Sequence, residues 1–260
     1  MNLKQRLDYH YKAFDRTQIS PDPLQFLHLY SDVKDIEVIG FIAAVFAYGN
    51  VKQIINTLNK FVEISDNKPY KFITTFGSHK NDKILETLYH RFYSFKDVIN
   101  LFQVMEIIYA EYGSLKKLFL KYYNDNDENI KNALSGFSHH FIEKIKSVTK
   151  HPDISPGARF MFPLPELGSA CKRKNLFLRW MVRKDELDFG LWTEIPKNKL
   201  IIPVDTHIAR ICKQLNLTTL KNVSWKMAEE ITANLKKYDP DDPVKYDFAI
   251  CHIGMRKLTF

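Results

Sequence analysis

An aspartate between an apolar run and a predicted helix is the first candidate for chemistry in this sequence. Asp205 follows Ile-Ile-Pro-Val at residues 201–204 and precedes a segment whose apolar residues recur with helical spacing. Aspartate at such a position caps a helix, because its side chain accepts hydrogen bonds from the first-turn amides. Those amides and the helix dipole also keep the carboxylate ionised, so that it can stabilise a nearby cation. Position alone therefore predicts a helix cap and leaves a functional role open.

Positive charge is concentrated upstream of Asp205. The chain has 38 Lys and Arg against 30 Asp and Glu, a formal charge of +8, which favours polyanions such as nucleic acid or acidic lipid. Residues 159–184 contain one acid, Glu166, and seven basic residues: Arg159, Lys172, Arg173, Lys174, Arg179, Arg183 and Lys184. In a helix, Lys172, Arg179 and Arg183 fall close to one line, which predicts either a row of phosphate contacts or a solvated cationic face. Phe160 and Phe162, just upstream, are of the type that stacks on bases.

A tight turn, Leu-Pro-Glu-Leu-Gly at residues 164–168, precedes the basic helix. A turn of the pattern Leu-Pro-x-aliphatic-Gly can aim the first backbone amides of the next helix at an anion. Glycine-containing turns also join helices in most all-α proteins, so the turn by itself fits either role.

The glycine and cysteine counts exclude several common classes. The nine glycines are dispersed, and the closest pair is Gly40 and Gly49, which excludes the dinucleotide-binding fingerprint, the phosphate-binding P-loop and the G-x-S-x-G hydrolase elbow. The three cysteines form no C-x-x-C pair and indicate a reducing compartment rather than disulfides or zinc. The charged N-terminus is not a secretory signal, and no apolar run is long enough to cross a bilayer. We expect a cytoplasmic protein with no metal and no other cofactor.

The segment Pro-Val-Asp-Thr-His at residues 203–207 resembles a motif of the helix-hairpin-helix DNA glycosylase superfamily, which includes endonuclease III and the oxoguanine glycosylases. The turn at residues 164–168 is similar to a variant of that superfamily's hairpin, normally Leu-Pro-Gly-aliphatic-Gly. This resemblance spans residues 160–255, with residues 38–51 as a match to the first conserved helix. The blocks 168–173, 179–183 and 241–249 look more like an uncharacterised bacterial family distantly related to these enzymes, over nearly the whole chain.

The resemblance implies roles for individual residues. Asp205 would be the catalytic carboxylate and Lys172 the amine that attacks the sugar of a damaged nucleotide, with Lys174 as the rival nucleophile. A lysine nucleophile makes such an enzyme both an N-glycosylase and an abasic-site lyase. Because basic residues flank Lys172, we expect its pKa to be lowered. The implied DNA contacts are Arg159, Gly168, Arg173, Lys174, Arg179 and Arg183, and the implied pocket for a flipped base is Phe160, Phe162 and Trp180.

Two departures from the superfamily pattern bear on catalysis and substrate. Glu166 occupies a hairpin position that normally holds glycine, and a carboxylate there repels phosphate. The interval from Lys172 to Asp205 is nearly twice the usual one, but an archaeal oxoguanine glycosylase branch has a comparable interval, which favours oxidised guanine as substrate. The four cysteines that hold iron–sulfur in endonuclease III are missing, so no cluster is expected. The implied partner is double-stranded DNA with a damaged base, bound by a monomer; the alternative is a non-catalytic helical DNA- or RNA-binding protein.

Helical periodicity dominates the chain and predicts an all-α fold. We expect a buried helix at residues 35–48, a loop at residues 66–81, and helices near residues 83–92, 169–183 and 206–215. Four prolines interrupt the pattern within residues 150–166. The prediction is a single glycosylase-like unit with two helical lobes, residues 1–150 and 151–260, a helix-hairpin-helix element and a cleft between the lobes.

Overall fold

The described part of the chain is all-helical, as predicted. The computed structural model describes residues 1–13, 15–79 and 83–256, with the backbone alone at residues 16 and 253–256. These ranges contain isolated bridges but no β-strand. Their α-helices are α1 (Leu3–Lys12), α2 (Val33–Phe46), α3 (Val51–Ile64), α4 (Pro69–Thr74), α5 (Phe95–Tyr112), α6 (Leu115–Leu120), α7 (Lys131–Thr149), α8 (Pro156–Met161), α9 (Lys172–Val182), α10 (Thr206–Gln214), α11 (Trp225–Lys236) and α12 (Asp247–Arg256).

The chain divides into two compact units. The terminal unit comprises Met1–Ser20, Asn126–Lys131 and Pro165–Phe260, and the central unit comprises Pro21–Asp125 and Asn132–Leu164. These bounds differ from the predicted lobes, because residues 1–20 and 126–131 belong with the C-terminal part and residues 151–164 with the central part. Contacts of α1 explain the first difference: Tyr246 donates to Asp8 at 2.8 Å, and Tyr11 donates to Asp185 at 3.0 Å. Periodicity predicts a helix at the N-terminus but not the distant residues that it contacts. The single glycosylase-like unit, the hairpin element and the cleft stay predictions.

A buried helix forms the core of the central unit. Every residue of α2 from Ile36 to Phe46 is buried, which confirms the predicted central helix. Its carboxylate, Glu37, accepts hydrogen bonds from the Tyr109 hydroxyl and the Leu115 amide, both at 2.9 Å. Glu37 therefore caps α6 from inside the core, and these bonds compensate for the loss of water around a buried charge.

Two secondary-structure predictions in the central unit are wrong. The predicted loop at residues 66–81 contains α4, which starts at Pro69 and buries Phe72 and Ile73. The predicted helix at residues 83–92 is a 3-10 turn, Lys83–Thr87, followed by a two-residue turn. Arg91 in that turn has φ +54°, which is incompatible with a right-handed helix. Residues 80–82 lie outside the described residues.

The terminal unit holds the residues singled out for chemistry. In it, α12 contacts both α10 and α1. The apolar residues of α10 that recur with helical spacing, Ile208, Ile211 and Cys212, are buried. The helix predicted from residue 169 begins instead at Lys172, because Cys171 has φ +47° and lies outside the right-handed helical region.

Candidate active site

Asp205 binds two groups through different carboxylate oxygens. Its Oδ1 accepts hydrogen bonds from the amides of His207 at 2.9 Å and Ile208 at 3.0 Å, which caps α10. Its Oδ2 lies 2.8 Å from Lys172 Nζ. The cap fixes the orientation of the carboxylate and leaves the second oxygen for an ion pair.

The segment before Asp205 is anchored in the core of the terminal unit. Ile201, Ile202 and Val204 are buried. The Ile202 amide donates to Thr232 Oγ1 on α11 at 3.0 Å, so the extended backbone has a polar partner where it cannot reach water. Buried residues on one side and a capped helix on the other therefore hold Asp205 in place.

Lys172 is the first residue of α9, directly after the left-handed Cys171. Asn175 in the next turn donates to the Ala170 carbonyl at 3.0 Å and ties the preceding loop to the helix. The side chains of Lys172 and Asp205 are 31% and 22% exposed, respectively. The structure thus brings two residues that are distant in the sequence into direct contact and leaves part of each accessible to a ligand.

The Lys172–Asp205 pair is ionised at neutral pH. Burial alone would lower the pKa of Lys172, but Asp205 and the nearby Cys251 and Asp247 raise this pKa above its usual value. Burial would raise the pKa of Asp205, but Lys172 and the Ile208 amide lower it below its usual value. The predicted lowering of the Lys172 pKa is wrong, because acidic groups rather than its basic sequence neighbours dominate its surroundings.

Lys174 differs from Lys172 in both exposure and charge state. It is 5% exposed, and burial together with the charge of Arg173 lowers its pKa to about 7. It therefore supplies a neutral amine near pH 7, as a nucleophile must, but inside the unit rather than at its surface. Arg173 is only 8% exposed. This burial contradicts the predicted DNA contacts of Arg173 and Lys174.

Two further predicted DNA contacts, Arg179 and Arg183, belong to a buried arginine–aspartate network. The network consists of Arg179, Arg183, Asp185, Asp188, Asp242 and Asp247. Arg183 binds Asp242 at 2.8 Å, and both guanidinium side chains are 3% exposed. The predicted row of phosphate contacts is therefore wrong at Arg179 and Arg183, since carboxylates already neutralise them away from solvent. Of the three residues on the predicted line, Lys172 alone reaches the surface.

Two of the predicted base-pocket residues are packed in the interior. Trp180 is 0% exposed in α9 of the terminal unit. Phe162 is 1% exposed in the central unit and stacks on Phe141 with 4.6 Å between the ring centroids. The pocket prediction is wrong for Trp180 and Phe162, because both rings serve packing and present no face to an incoming base.

Three other predicted residues remain at the surface. Arg159 and Phe160 lie in α8 of the central unit, and Phe160 is 38% exposed. Gly168 is exposed in the terminal unit with φ +87°, and its carbonyl accepts from the Trp225 amide at 2.9 Å. These positions are open to a ligand, and their contact with DNA stays a prediction.

Sequence reasoning missed the residues of α12 that surround the candidate pair. Asp247 and Cys251 both act on the Lys172 pKa, and Asp247 also binds Arg179. The two residues are spaced four apart and so lie on one face of α12. The spacing is visible in the sequence, but the sequence does not show that these two residues lie near Lys172.

The match to known proteins is at the level of a family. A family model described as "Protein of unknown function (DUF2400)" matches residues 22–256, which include both members of the candidate pair. The chain belongs to the DUF2400 family. No curated protein and no solved structure gives a significant match to the chain.

Two further properties of this DUF2400 chain concern metal binding and membrane insertion. Within residues 1–13, 15–79 and 83–256, no three His, Cys, Asp or Glu side chains are grouped so that they could hold a metal ion. Over the same ranges, the helices are too short or too polar to span a membrane.

Proposed function

We propose that this chain is a DNA N-glycosylase with abasic-site lyase activity, in which Lys172 is the nucleophile and Asp205 the catalytic carboxylate. One observation carries the proposal. Lys172 Nζ and Asp205 Oδ2 are 2.8 Å apart on two partly exposed side chains, and each residue lies in a segment that resembles the glycosylase superfamily. A damaged base such as oxidised guanine in double-stranded DNA is the proposed substrate.

The chemistry requires both members of the pair. The unprotonated Lys172 amine attacks C1′ of the sugar, and the bond to the base breaks as the base leaves with the electron pair and takes up a proton. Opening of the sugar ring gives an imine between Nζ and C1′. Loss of a C2′ proton then eliminates the 3′ phosphate and cuts the strand. Asp205 stabilises positive charge on the sugar before the new bond is complete.

The resting pair must lose a proton before attack. Lys172 is protonated at neutral pH because its pKa is raised, and an ammonium group is not a nucleophile. The Lys172 side chain is 31% exposed, so Nζ loses this proton to solvent while Asp205 stays ionised. The reaction therefore proceeds through the small unprotonated fraction of Lys172, and this fraction grows with pH.

Borohydride trapping tests the assignment. The protein is incubated with a duplex that contains one abasic site or one oxidised guanine, and sodium borohydride reduces the imine to a stable adduct that is resolved on a denaturing gel. We expect an adduct with the wild type, none with Lys172→Ala, and a rate about a hundredfold lower with Asp205→Asn. The matched control is Lys184→Ala, an exposed lysine of the same basic stretch, which should trap at the wild-type rate.

The pH dependence of trapping separates the two lysines. If Lys172 attacks, the rate rises about tenfold per pH unit between pH 7 and 9, because its pKa lies above 10.5. If Lys174 attacks, the rate levels off by about pH 8, since its pKa is about 7. An adduct that persists in Lys172→Ala and disappears in Lys174→Ala reassigns the nucleophile. Duplex binding without adduct or base release from any lesion favours the alternative, a non-catalytic nucleic-acid-binding protein.

A further inference from the structure

A two-residue turn in the central unit presents a cation and an aromatic ring to solvent. His90 and Tyr93 close the turn through mutual backbone hydrogen bonds of 3.0 and 2.9 Å. Arg91 and Phe92 form its tip, where Arg91 is exposed and Phe92 is 63% exposed. A single exposed ring is common at protein surfaces, but this ring lies beside a guanidinium and a second exposed aromatic ring.

The turn is held in position from below. His90 is 2% exposed, and its ring nitrogens contact Thr57 Oγ1 at 3.1 Å and the Tyr48 carbonyl at 3.0 Å. The Tyr48 hydroxyl donates to the His90 carbonyl and accepts from the Phe92 amide at 3.1 Å. These contacts fix the backbone on both sides of the tip. The exposure of Arg91 and Phe92 is therefore imposed by a rigid support.

Arg91 adopts a strained conformation that the surroundings maintain. Its φ is +54°, which costs a residue with a Cβ about 1–2 kcal/mol relative to a right-handed conformation. A Cβ on Gly49 would collide with the Arg91 side chain, so the absence of a side chain at Gly49 makes room for the guanidinium. Such a conformation persists only where the surroundings over-determine it, as the contacts of Tyr48 and His90 do here.

The tip belongs to a larger aromatic surface, the Arg91 patch, which consists of Tyr48, Arg91, Phe92 and Phe160; the exposed Arg159 is the chain neighbour of Phe160 in α8. The Phe92 ring stands edge-on to the Phe160 ring at 5.5 Å, and Phe160 lies 4.9 Å from Tyr48. The Arg91 guanidinium lies 5.6 Å from the Tyr48 ring centre and 5.4 Å from that of Phe92. A Cβ on Gly157 would lie 2.9 Å from the Phe92 carbonyl oxygen, so glycine there allows α8 to approach the turn and bring Phe160 beside Phe92.

We infer that the Arg91 patch binds unpaired nucleotides of a single-stranded nucleic acid, with bases stacked on Phe92 and Phe160 and phosphates held by Arg91 and Arg159. Charge complementarity selects this occupant: Arg91 in the patch and the exposed Arg159 next to Phe160 in the chain are both cationic, in a chain of formal charge +8. Exposed aromatic rings interleaved with arginine are the common solution for binding single strands without sequence preference. The inference concerns the central unit and does not depend on the reaction proposed for Lys172 and Asp205.

Fluorescence anisotropy with a labelled deoxythymidine strand of about 15 nucleotides tests the inference. We expect Phe92→Ala to weaken binding by about tenfold, since one stacked base is lost. Arg91→Ala should lower the dependence of log affinity on log salt by about 0.7. The matched control is Tyr9→Ala, since Tyr9 is also 63% exposed but lies in the terminal unit; it should bind within about twofold of the wild type. Lys184→Ala, the control of the trapping experiment, should also bind as the wild type does.

A tryptophan at position 92 gives a direct signal of stacking. The native Trp180, Trp192 and Trp225 are at most 1% exposed, so quenching by added oligonucleotide should be small in the wild type and large in Phe92→Trp. Unfolding midpoints in urea confirm that the variants fold. Wild-type protein that does not bind the strand, or a folded Phe92→Ala that binds it as tightly as the wild type, overturns the inference.

Discussion

Two sets of ion pairs start from the same helix, α9, and differ in exposure. Lys172 at its first residue pairs with one carboxylate, and both side chains are 22–31% exposed. Near its end, Arg179 and Arg183 share the four carboxylates of the arginine–aspartate network, where the guanidinium side chains are 3% exposed. The buried network joins α9 to the loop at residues 185–188 and to the start of α12. Lys172 or Asp205 can exchange its partner for a ligand because both are partly exposed. Exposure therefore distinguishes the chemical role of this pair from the structural role of the buried network.

The network also contains more negative than positive groups, with a consequence for its carboxylates. Burial raises the pKa of Asp247 to about 6 even though Arg179 lowers it. Burial likewise raises the pKa of Asp188, against the effect of both arginines. Each arginine therefore compensates more than one carboxylate of the network, and removal of either leaves buried negative charge with too little positive charge beside it.

The largest expected effect is that of Arg183→Met. This change removes the buried cation that Asp185, Asp188 and Asp242 share and leaves only Arg179 beside Asp188 and Lys197 beside Asp242. We expect a loss of about 3–5 kcal/mol in the free energy of unfolding. Urea denaturation at pH 7 measures it. The neighbouring Lys184→Met is the control, because Lys184 is exposed and should change stability by less than about 0.5 kcal/mol. If Arg183→Met is as stable as the wild type and binds DNA more weakly and with less salt dependence, the predicted phosphate contact of Arg183 is correct.

Lys174→Met should change the free energy of unfolding in the opposite direction and stabilise the protein by a few kcal/mol at pH 6.5. The pKa of Lys174 is about 7 in the folded chain, against 10.5 as its ordinary value. Between those pH values the unfolded chain binds more protons than the folded chain, because Lys174 is largely protonated only when the chain is unfolded. The free energy of unfolding of the wild type therefore rises with pH in this window. The advantage of Lys174→Met should therefore shrink steadily from about pH 7 to pH 10.5. Denaturation at four pH values in that window measures the trend, and a constant difference would contradict the lowered pKa.

The sequence predicted the elements and the candidate pair better than the surroundings of that pair. The burial of α2, which is apolar on nearly all sides, and the apolar face of α10 follow from the sequence pattern alone. The role of Asp205 as a cap was also readable, since it depends on amides two and three residues away. The partners of Arg179 and Arg183 were not readable, because Asp242 and Asp247 lie about 60 residues downstream and meet α9 only after folding. Helical spacing places charges on one line but does not show whether that line faces water.

The same limit applies to the pKa values. From sequence neighbours, Lys172 and Lys174 have nearly identical surroundings, yet the structure shifts their pKa values in opposite directions. Lys172 lies beside Asp205, which comes from a different segment, whereas Lys174 turns into the interior. The charge state of a lysine therefore depends on tertiary contacts that a local reading of charge runs does not contain.

The smallest expected effect, that of Asp205→Asn, sharpens the contrast with the network. Asparagine keeps the helix cap, so the change removes mainly the ion pair with Lys172, and we expect a loss of about 1 kcal/mol because the pair is partly screened by solvent. The pKa of Asp205 is lowered and that of Lys172 is raised. The contribution of the pair is thus fully present between about pH 4 and pH 10, lost in acid as Asp205 is protonated and lost in base as Lys172 is deprotonated.

In contrast to Lys174→Met, the stability difference between the wild type and Asp205→Asn should stay constant from pH 5 to pH 9. It should also fall in 1 M salt, whereas the difference for Arg183→Met should not, since salt screens exposed pairs far more than buried ones. A loss above about 3 kcal/mol that salt leaves unchanged would instead place Lys172 and Asp205 with the structural ion pairs and remove the basis for their proposed chemistry.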